Sequence, residues 1–430
     1  MGRYLNAGNE NFQKSVNSEI YIDKTGLIAY TNRVINTLQG YLCISRPRRF
    51  GKSMAANMLT AYYSRGCDSE QLFSGLEISK DKDFETYRNK YNTISLNMQE
   101  FLSRSGGIEE VIERVKRFVL RDIKKAYPDV DYLDDTDLIE SMQDVYEEKK
   151  CPFIVIIDEW DCIFREFRQD KEAQEKYLDF LRDLLKDKAC IHLAYLTGIL
   201  PIKKYGTHSA LNMFDEFSMI SPGPLASYVG FTQKEVEMLC SRYHMDLEEV
   251  KSWYDGYLFS DELSIYSPRS VVNSMLFGKI ENYWNQTETF EALQAYIDMN
   301  FEGLKDDVLS MMAGESVPVN TGSFTNDMTT FRTEDDVLTL LIHLGYLVYD
   351  ADNKTVRIPN NEIRNEYVNC VSASDWGEVS RALKESADIL QAIWQRREAQ
   401  VAEGIRMAHF ETSHIQYNDE NALSYTISLA

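Results

Sequence analysis

The 430-residue chain predicts an α/β fold: a parallel sheet with helices on both faces, followed by a helical domain and a winged-helix-like part. Three observations carry this. Short apolar runs (YLCIS at 41–45, Ile94–Met98, FIVII at 153–157 and IHLAYLTGI at 191–199) alternate with stretches of helical periodicity over roughly the first 215 residues. FIVII is too densely apolar for a half-exposed strand and fits a central parallel strand covered on both faces. After Pro222 the buried runs give way to short helical patterns and turn signals such as Asp255-Gly256.

Taken in order, a helix is expected from Lys52 to about Tyr63, directly after the first strand. Val111, Ile112, Val115, Val119 and Ile123 recur at helical intervals in 108–126, and a second amphipathic pattern covers about 171–187. The expected domains are an α/β core at 1–215, a helical lid-like domain at 216–330, a winged-helix-like part at 331–371 and a helical tail at 372–430. Within 333–371 the order is helix, a β-pair of GYLVYD and KTVRIP turning at Asp352-Asn353, then helix. The tail puts Leu383, Ala387, Leu390 and Trp394 on one face and reads as the start of a domain that this chain does not complete.

Charge and cysteines narrow the function classes. There are 46 basic and 68 acidic residues, a net charge of −22, which argues against gripping nucleic acid over the whole surface. Against that background, residues 24–67 hold Lys24, Arg33, Arg46, Arg48, Arg49, Lys52 and Arg65 and no acid. Seven scattered cysteines without a C-x-x-C pair point to free thiols in a reducing cytosol. The N-terminus lacks an apolar signal-peptide core, and no apolar run approaches the ~20 residues of a membrane span, so a cytoplasmic protein is expected.

The sharpest chemical signal lies in that basic stretch: Ser45-Arg46-Pro47-Arg48-Arg49-Phe50-Gly51-Lys52-Ser53-Met54, between a buried strand and a helix. A phosphate-binding loop needs inward backbone N–H groups, a lysine for the β- and γ-phosphates and a hydroxyl for Mg²⁺, all at a helix N-terminus. Gly51-Lys52-Ser53 supplies the second half of that pattern, but Arg46 stands where its first glycine belongs. A basic strand–helix turn without a ligand is the other reading.

FIVII runs straight into Asp158-Glu159. In a P-loop enzyme the first acid holds the Mg²⁺ shell and the second polarises the attacking water. A surface acidic pair after a strand is the alternative. Thr197, closing the 191–199 strand, can hydrogen-bond a γ-phosphate or the lytic water, or simply end the strand.

With these motifs on one chain, the sequence resembles the bacterial AAA-ATPase-like proteins. The resemblance rests on YIDKT (21–25), RPRRFGKS (46–53), IIDEWD (156–161), LTGI (196–199), GFTQKEV (230–236), WYDGY (253–257), IYSPRS (265–270) and IPNNEIRNEY (358–367). Arginine in place of the first loop glycine is ordinary in that family. The resemblance implies ATP bound by the loop, Lys52 on its phosphates, Ser53 and Asp158 on Mg²⁺, Glu159 as catalytic carboxylate and Thr197 at a sensor-like strand end. It also implies a C-terminal PD-(D/E)XK nuclease-like domain, of which 414–430, with Glu420, looks like the first helix; the later carboxylates are missing. Pro128-Asp129 with Glu147-Glu148-Lys149 mimics the nuclease spacing, but on a polar, helix-like stretch.

Several features stay open. Arg48 and Arg49 can touch phosphates, reach a neighbouring subunit's nucleotide or solvate the loop, Arg269 is a candidate lid arginine, and 21–26 is a candidate base pocket. WYDGY reads as a turn with aromatic packing. The winged-helix-like and C-terminal parts offer a nucleic-acid or protein partner, although nearby acids (Glu334, Asp335, Asp336, Asp350, Asp352) favour packing or regulation. The leading expectation is a Mg²⁺-dependent ATPase driving a conformational switch; the alternative is an ATP-gated sensor with little turnover, regulating a nuclease-like effector absent from this chain.

Overall fold

The computed structural model describes residues 2–202, 211–260, 263–284, 290–299, 301–325, 331–373, 389, 392–393 and 395–412. The face set by Leu383, Ala387, Leu390 and Trp394 lies outside the described residues except for its surroundings at 389 and 392–393, and so does 414–430 with Glu420.

The central sheet has five parallel strands: β1 (Tyr41–Ser45), β2 (Asn92–Asn97), β3 (Phe153–Asp158), β4 (Ile191–Gly198) and β5 (Asp215–Phe217), in the order β2-β3-β4-β1-β5. Every position of β3 is buried. Successive side chains point to opposite faces, so complete burial requires cover on both, as its apolar run predicts. β5 escapes sequence reading because its Asp-Glu-Phe sequence is short and polar, as suits an edge strand. Ahead of the sheet lie helices α1 (Glu10–Val16) and α2 (Gly26–Val34), and α3 (Lys52–Tyr63) follows β1 and packs against β2, β3 and β4. The helix Ile108–Ala126 buries Val111, Val115, Val119 and Ile123, the stripe that its periodicity indicates. Glu147, Glu148 and Lys149 belong to the helix Leu138–Lys149 or its end, so they do not sit on a nuclease-type strand.

Beyond β5, the helices Gln233–Tyr243, Leu247–Tyr254 and Pro268–Phe277 surround a small antiparallel sheet of β6 (Phe231–Thr232), β7 (Tyr257–Ser260) and β8 (Leu263–Tyr266). This layer has its own core of Val236, Leu239, Val250, Tyr254, Tyr266 and Val271, and Ile20 and Ile22 from near the N-terminus insert into it. Asp255-Gly256 makes the turn into β7. Gly256 has φ 109°, and a Cβ there would meet the Pro359 carbonyl oxygen at 2.1 Å, so the position needs glycine for both conformation and contact.

The winged-helix-like part combines the helix Glu334–Leu344, the hairpin β10 (Val348–Asp350) and β11 (Thr355–Arg357), and the helix Asn361–Ala373. Its sheet draws a third strand, β9 (Val317–Pro318), from ahead of residue 331. The helix Glu334–Leu344 is buried from Asp336 to His343.

A buried carboxylate joins these last two layers. Glu362 accepts hydrogen bonds from Ser270 Oγ at 2.8 Å, Tyr283 N at 2.8 Å and Trp284 N at 3.0 Å. Burial nevertheless pushes its pKa from 4.5 up to about 7. A raised carboxyl pKa means that the folded state holds the proton more tightly, so this contribution is complete below 4.5 and lost as pH rises through 7. Glu362→Gln, which mimics the protonated form, is expected to flatten the fall in stability across that window and to gain up to about 3 kcal/mol above it. Urea unfolding at about pH 5 and about pH 8 measures this.

Candidate functional site

The loop leaving β1 is built around two left-handed residues, Arg49 at φ 68° and Gly51 at φ 96°. Gly51 caps α3, whose first residue is Lys52, so the helix N-terminus faces the concave side of the loop. Lys52 is buried, and its Nζ donates to the carbonyls of Arg46 at 3.0 Å and Pro47 at 2.9 Å. Burial lowers its pKa, against the field of Glu159, Asp161 and Asp158, which supports the ammonium form.

The acids arrive from the neighbouring strands by register. β4 lies between β1 and β3, with Ile44 opposite Thr197, Ser45 opposite Gly198, and Thr197 opposite Asp158. Asp158 thus ends its strand beside the start of α3, and it shares a cavity wall with Ser53. It contacts Asn97 Nδ2 at 3.3 Å and the Glu159 N–H at 3.0 Å. Burial raises the Asp158 pKa, and the nearby Ser53 hydroxyl opposes that shift. A serine hydroxyl and a carboxylate on one cavity wall are two hard oxygen donors, a donor set that fits Mg²⁺.

A cavity of about 850 Å³ opens over the loop, of a size ordinary for a small-molecule site. Arg48, Arg49, Phe50, Gly51, Lys52, Ser53 and Met54 all line it, together with Glu159. Its apolar wall includes Ile20, Ile22, Met58, Val272 and Leu276, and Arg269 joins from the lid-like layer. Tyr21, Ile22 and Lys24, from the 21–26 segment read as a base pocket, are cavity wall. Asp23 fixes this segment by accepting from Thr25 N at 2.8 Å and Glu77 N at 2.7 Å. Lys24 staples it to the lid, donating to Glu235 at 2.7 and 2.6 Å and to the Ser227 carbonyl at 2.8 Å. Glu235 also completes a capping box with Thr232, the part of this staple visible in the sequence.

Two loop residues expected at the ligand turn elsewhere. Arg46 is wholly buried on the other side, where Nη1 donates to Ser45 O at 2.8 Å and Phe217 O at 3.0 Å and the guanidinium lies 4.9 Å from the Phe259 ring centre. Burial brings its pKa down to about 10. Pro47 packs on Gly345 of the winged-helix-like part, where a Cβ would lie 2.7 Å from Pro47 Cγ. The reason is steric: the lid-like and winged-helix-like layers cover the outer face of the loop. Phe50 bridges both sides, lining the cavity and meeting Tyr257 edge-to-face at 5.2 Å. Thr197 occupies the expected strand end, but it is fully buried and its hydroxyl donates to Ile44 O at 3.0 Å, which commits it to the sheet.

A second, polar cavity of about 930 Å³ adjoins the first across Arg48, Ser53 and Glu159. Asp158, Asn97, Asn57 and Arg165 are among its walls. Arg165 was not singled out by sequence, because its partners Glu159 and Asp161 become visible as partners only once the turn after β3 is folded.

Residues 6–207 match the AAA-ATPase-like family, described as "Predicted AAA-ATPase". A curated relative, "Uncharacterized protein in vnfD 5'region" of Azotobacter chroococcum mcd 1, is 26% identical over 285 residues, covering 63% of this chain. The chain spans about half, 51%, of that relative's length. Among solved structures, the chain is similar to the Aeropyrum pernix ORC2 protein in ADPNP-ADP complexes (13% identity, TM-score 0.35, 83% of this chain and 97% of that one). It is also similar to CDC6P from Pyrobaculum aerophilum (8% identity, TM-score 0.30, 86% and 99%). Scores this low leave the fold to be read from the chain's own strand order and register. No helix among the described residues is long and apolar enough to cross a membrane.

Restoring the loop's missing glycine tests the Arg46 assignment. Arg46→Gly strands two buried carbonyls and opens a void, and is expected to cost about 2–4 kcal/mol in urea unfolding. Arg46→Met, which keeps the volume, is expected to cost less.

Proposed function

We propose that this chain binds ATP with Mg²⁺ and hydrolyses it, using the exchange to switch conformation. The observation that carries this reading is the meeting of Lys52, Ser53 and Glu159 at one cavity, with Asp158 beside Ser53 and Glu159 on the wall of the adjoining one. In this reading the amides at the start of α3 and the Lys52 ammonium take the phosphates, and Lys52 exchanges its two loop carbonyls for phosphate oxygens. Ser53 and Asp158 would hold Mg²⁺, which would neutralise charge on the β- and γ-phosphates. Arg48, Arg49 and Arg269, which line the cavity, would add positive charge from the loop and the lid. Ile20, Ile22 and Val272 offer an apolar wall to the base. Glu159 accepts a proton from the water that attacks the γ-phosphorus as the bond to the β–γ bridging oxygen breaks. Thr197 then acts through the sheet, holding β4 against β1, and not by touching phosphate.

Lys52→Ala is expected to lose ATP binding by equilibrium titration. Glu159→Gln is expected to keep binding while phosphate release falls about 10²–10⁴-fold. Unchanged hydrolysis by both variants overturns the proposal.

A second reading, an ATP-gated sensor with little turnover, is favoured by one observation: the Glu159 carboxylate is ion-paired with Arg165 at 2.5 Å. For a partner of the winged-helix-like part we propose a protein surface, because the helix Glu334–Leu344 is buried from Asp336 to His343 and begins with three acids. Duplex DNA is accordingly expected to leave phosphate release unchanged, and stimulation by DNA favours a nucleic-acid role instead.

A further inference from the structure

Glu159 stands on the wall between the two cavities, and its carboxylate already has a partner. Its Oε2 lies 2.5 Å from Arg165 Nη2, while Arg165 Nε lies 3.2 Å from Asp161 Oδ2. Asp161 is fully buried, and the same Oδ2 accepts the backbone N–H groups of Ile199 at 3.1 Å and Leu200 at 2.9 Å, just beyond β4. A line of contacts therefore runs from the carboxylate through a guanidinium and a second carboxylate to the backbone that follows Gly198. The Arg165 side chain is only 9% exposed, so solvent screens this line far less than a surface pair.

The local backbone leaves Glu159 little freedom besides side-chain rotation. The residue is left-handed at φ 53°, an uncommon conformation for a non-glycine residue, and the turn is held from both ends. Its N–H donates to Asp158 Oδ1 at 3.0 Å, its carbonyl accepts from Cys162 N at 3.1 Å, and Trp160 N donates to Thr197 O at 3.2 Å. On the nucleotide side, Glu159 is the leading contributor to the field favouring charged Lys52. The carboxylate thus has a cation on each side. If it rotates away from Arg165, the guanidinium keeps Asp161 and is not stranded as an unpaired buried charge.

We infer that Arg165 is a positioning residue that withholds Glu159 from the nucleotide, a latch closed by the Glu159–Arg165 ion pair and anchored by Asp161. This rests on the reading of Glu159 as the carboxylate that activates water, and it assigns the low turnover of a sensor to a specific contact. Anything that draws Arg165 towards the polar cavity, or shifts the 199–200 backbone that anchors Asp161, would set Glu159 free.

The test compares the full chain with Arg165→Met and Arg165→Lys, measuring ATP affinity by equilibrium titration and phosphate release at saturating ATP. Arg165→Met is expected to raise kcat on the order of ten-fold with ATP affinity unchanged, the gain if about one molecule in ten is unlatched in the parent. Arg165→Lys, which keeps the charge, is expected to stay near the parent, and adding Glu159→Gln to Arg165→Met is expected to abolish the gain. A fall or no change in kcat for Arg165→Met, with thermal melting intact and Glu159→Gln inactive, overturns the latch alone. Should Arg165→Met fail to fold, Arg165→Gln carries the same expectation and the same overturning result. Parental turnover by Glu159→Gln overturns the reading beneath it, and the latch with it.

Discussion

With β4 seated between β1 and β3, Ser45 pairs with Gly198 and Thr197 pairs with Asp158, and the rest of the site follows from this parallel register. The register fixes the separation of the loop on one strand from the acids on another, and it brings Ser53 at the start of α3 and Asp158 to the wall of one cavity. Parallel strands need long crossovers, so these residues are distant in sequence while their strand ends lie at one edge of the sheet. The Thr197 hydroxyl, bonded to Ile44 O at 3.0 Å, belongs to this constraint. It ties the middle strand to the strand that carries the loop.

The loop is held from both faces. On its concave side Lys52 gathers the Arg46 and Pro47 carbonyls. On its convex side Arg46 reaches Phe217 and Phe259, Phe50 meets Tyr257, and Pro47 rests on Gly345. Tyr257 also donates to Gly345 O at 2.8 Å, so the lid-like and winged-helix-like layers share their seat on the loop. A ligand that displaced the Lys52 contacts would act on a segment whose other face touches both outer layers. That is a physical route by which nucleotide occupancy could bear on domain arrangement.

The basic stretch at 24–67 divides accordingly. Arg48, Arg49 and Lys52 face the cavity, Arg46 is an internal strut, and Lys24 pairs with Glu235 to close the cavity wall. Composition shows the excess of positive charge but not these separate uses, because side-chain direction in an irregular loop follows no period that sequence reveals. The same limit applies to Arg165. Its place in the short helix after β3 is local, whereas its value depends on the left-handed turn at Glu159 and on the burial of Asp161.

The amino-acid sequence by itself determined the alternation of strands and helices, the central place of β3 and the candidate loop, serine and acids, since apolar runs, helical stripes and Gly-Lys-Ser are local signals of local geometry. It also pointed to the 21–26 segment, from which Tyr21, Ile22 and Lys24 line the cavity, and to WYDGY as a packed turn. Only the tertiary structure decided that β5 closes the sheet, that Arg46 and Pro47 face away from the cavity, that Lys24 fastens its wall and that Arg165 holds Glu159. Each of those outcomes turns on burial and contact between separate elements, and it is there, in a low-dielectric interior, that a charge acquires its partner and its role.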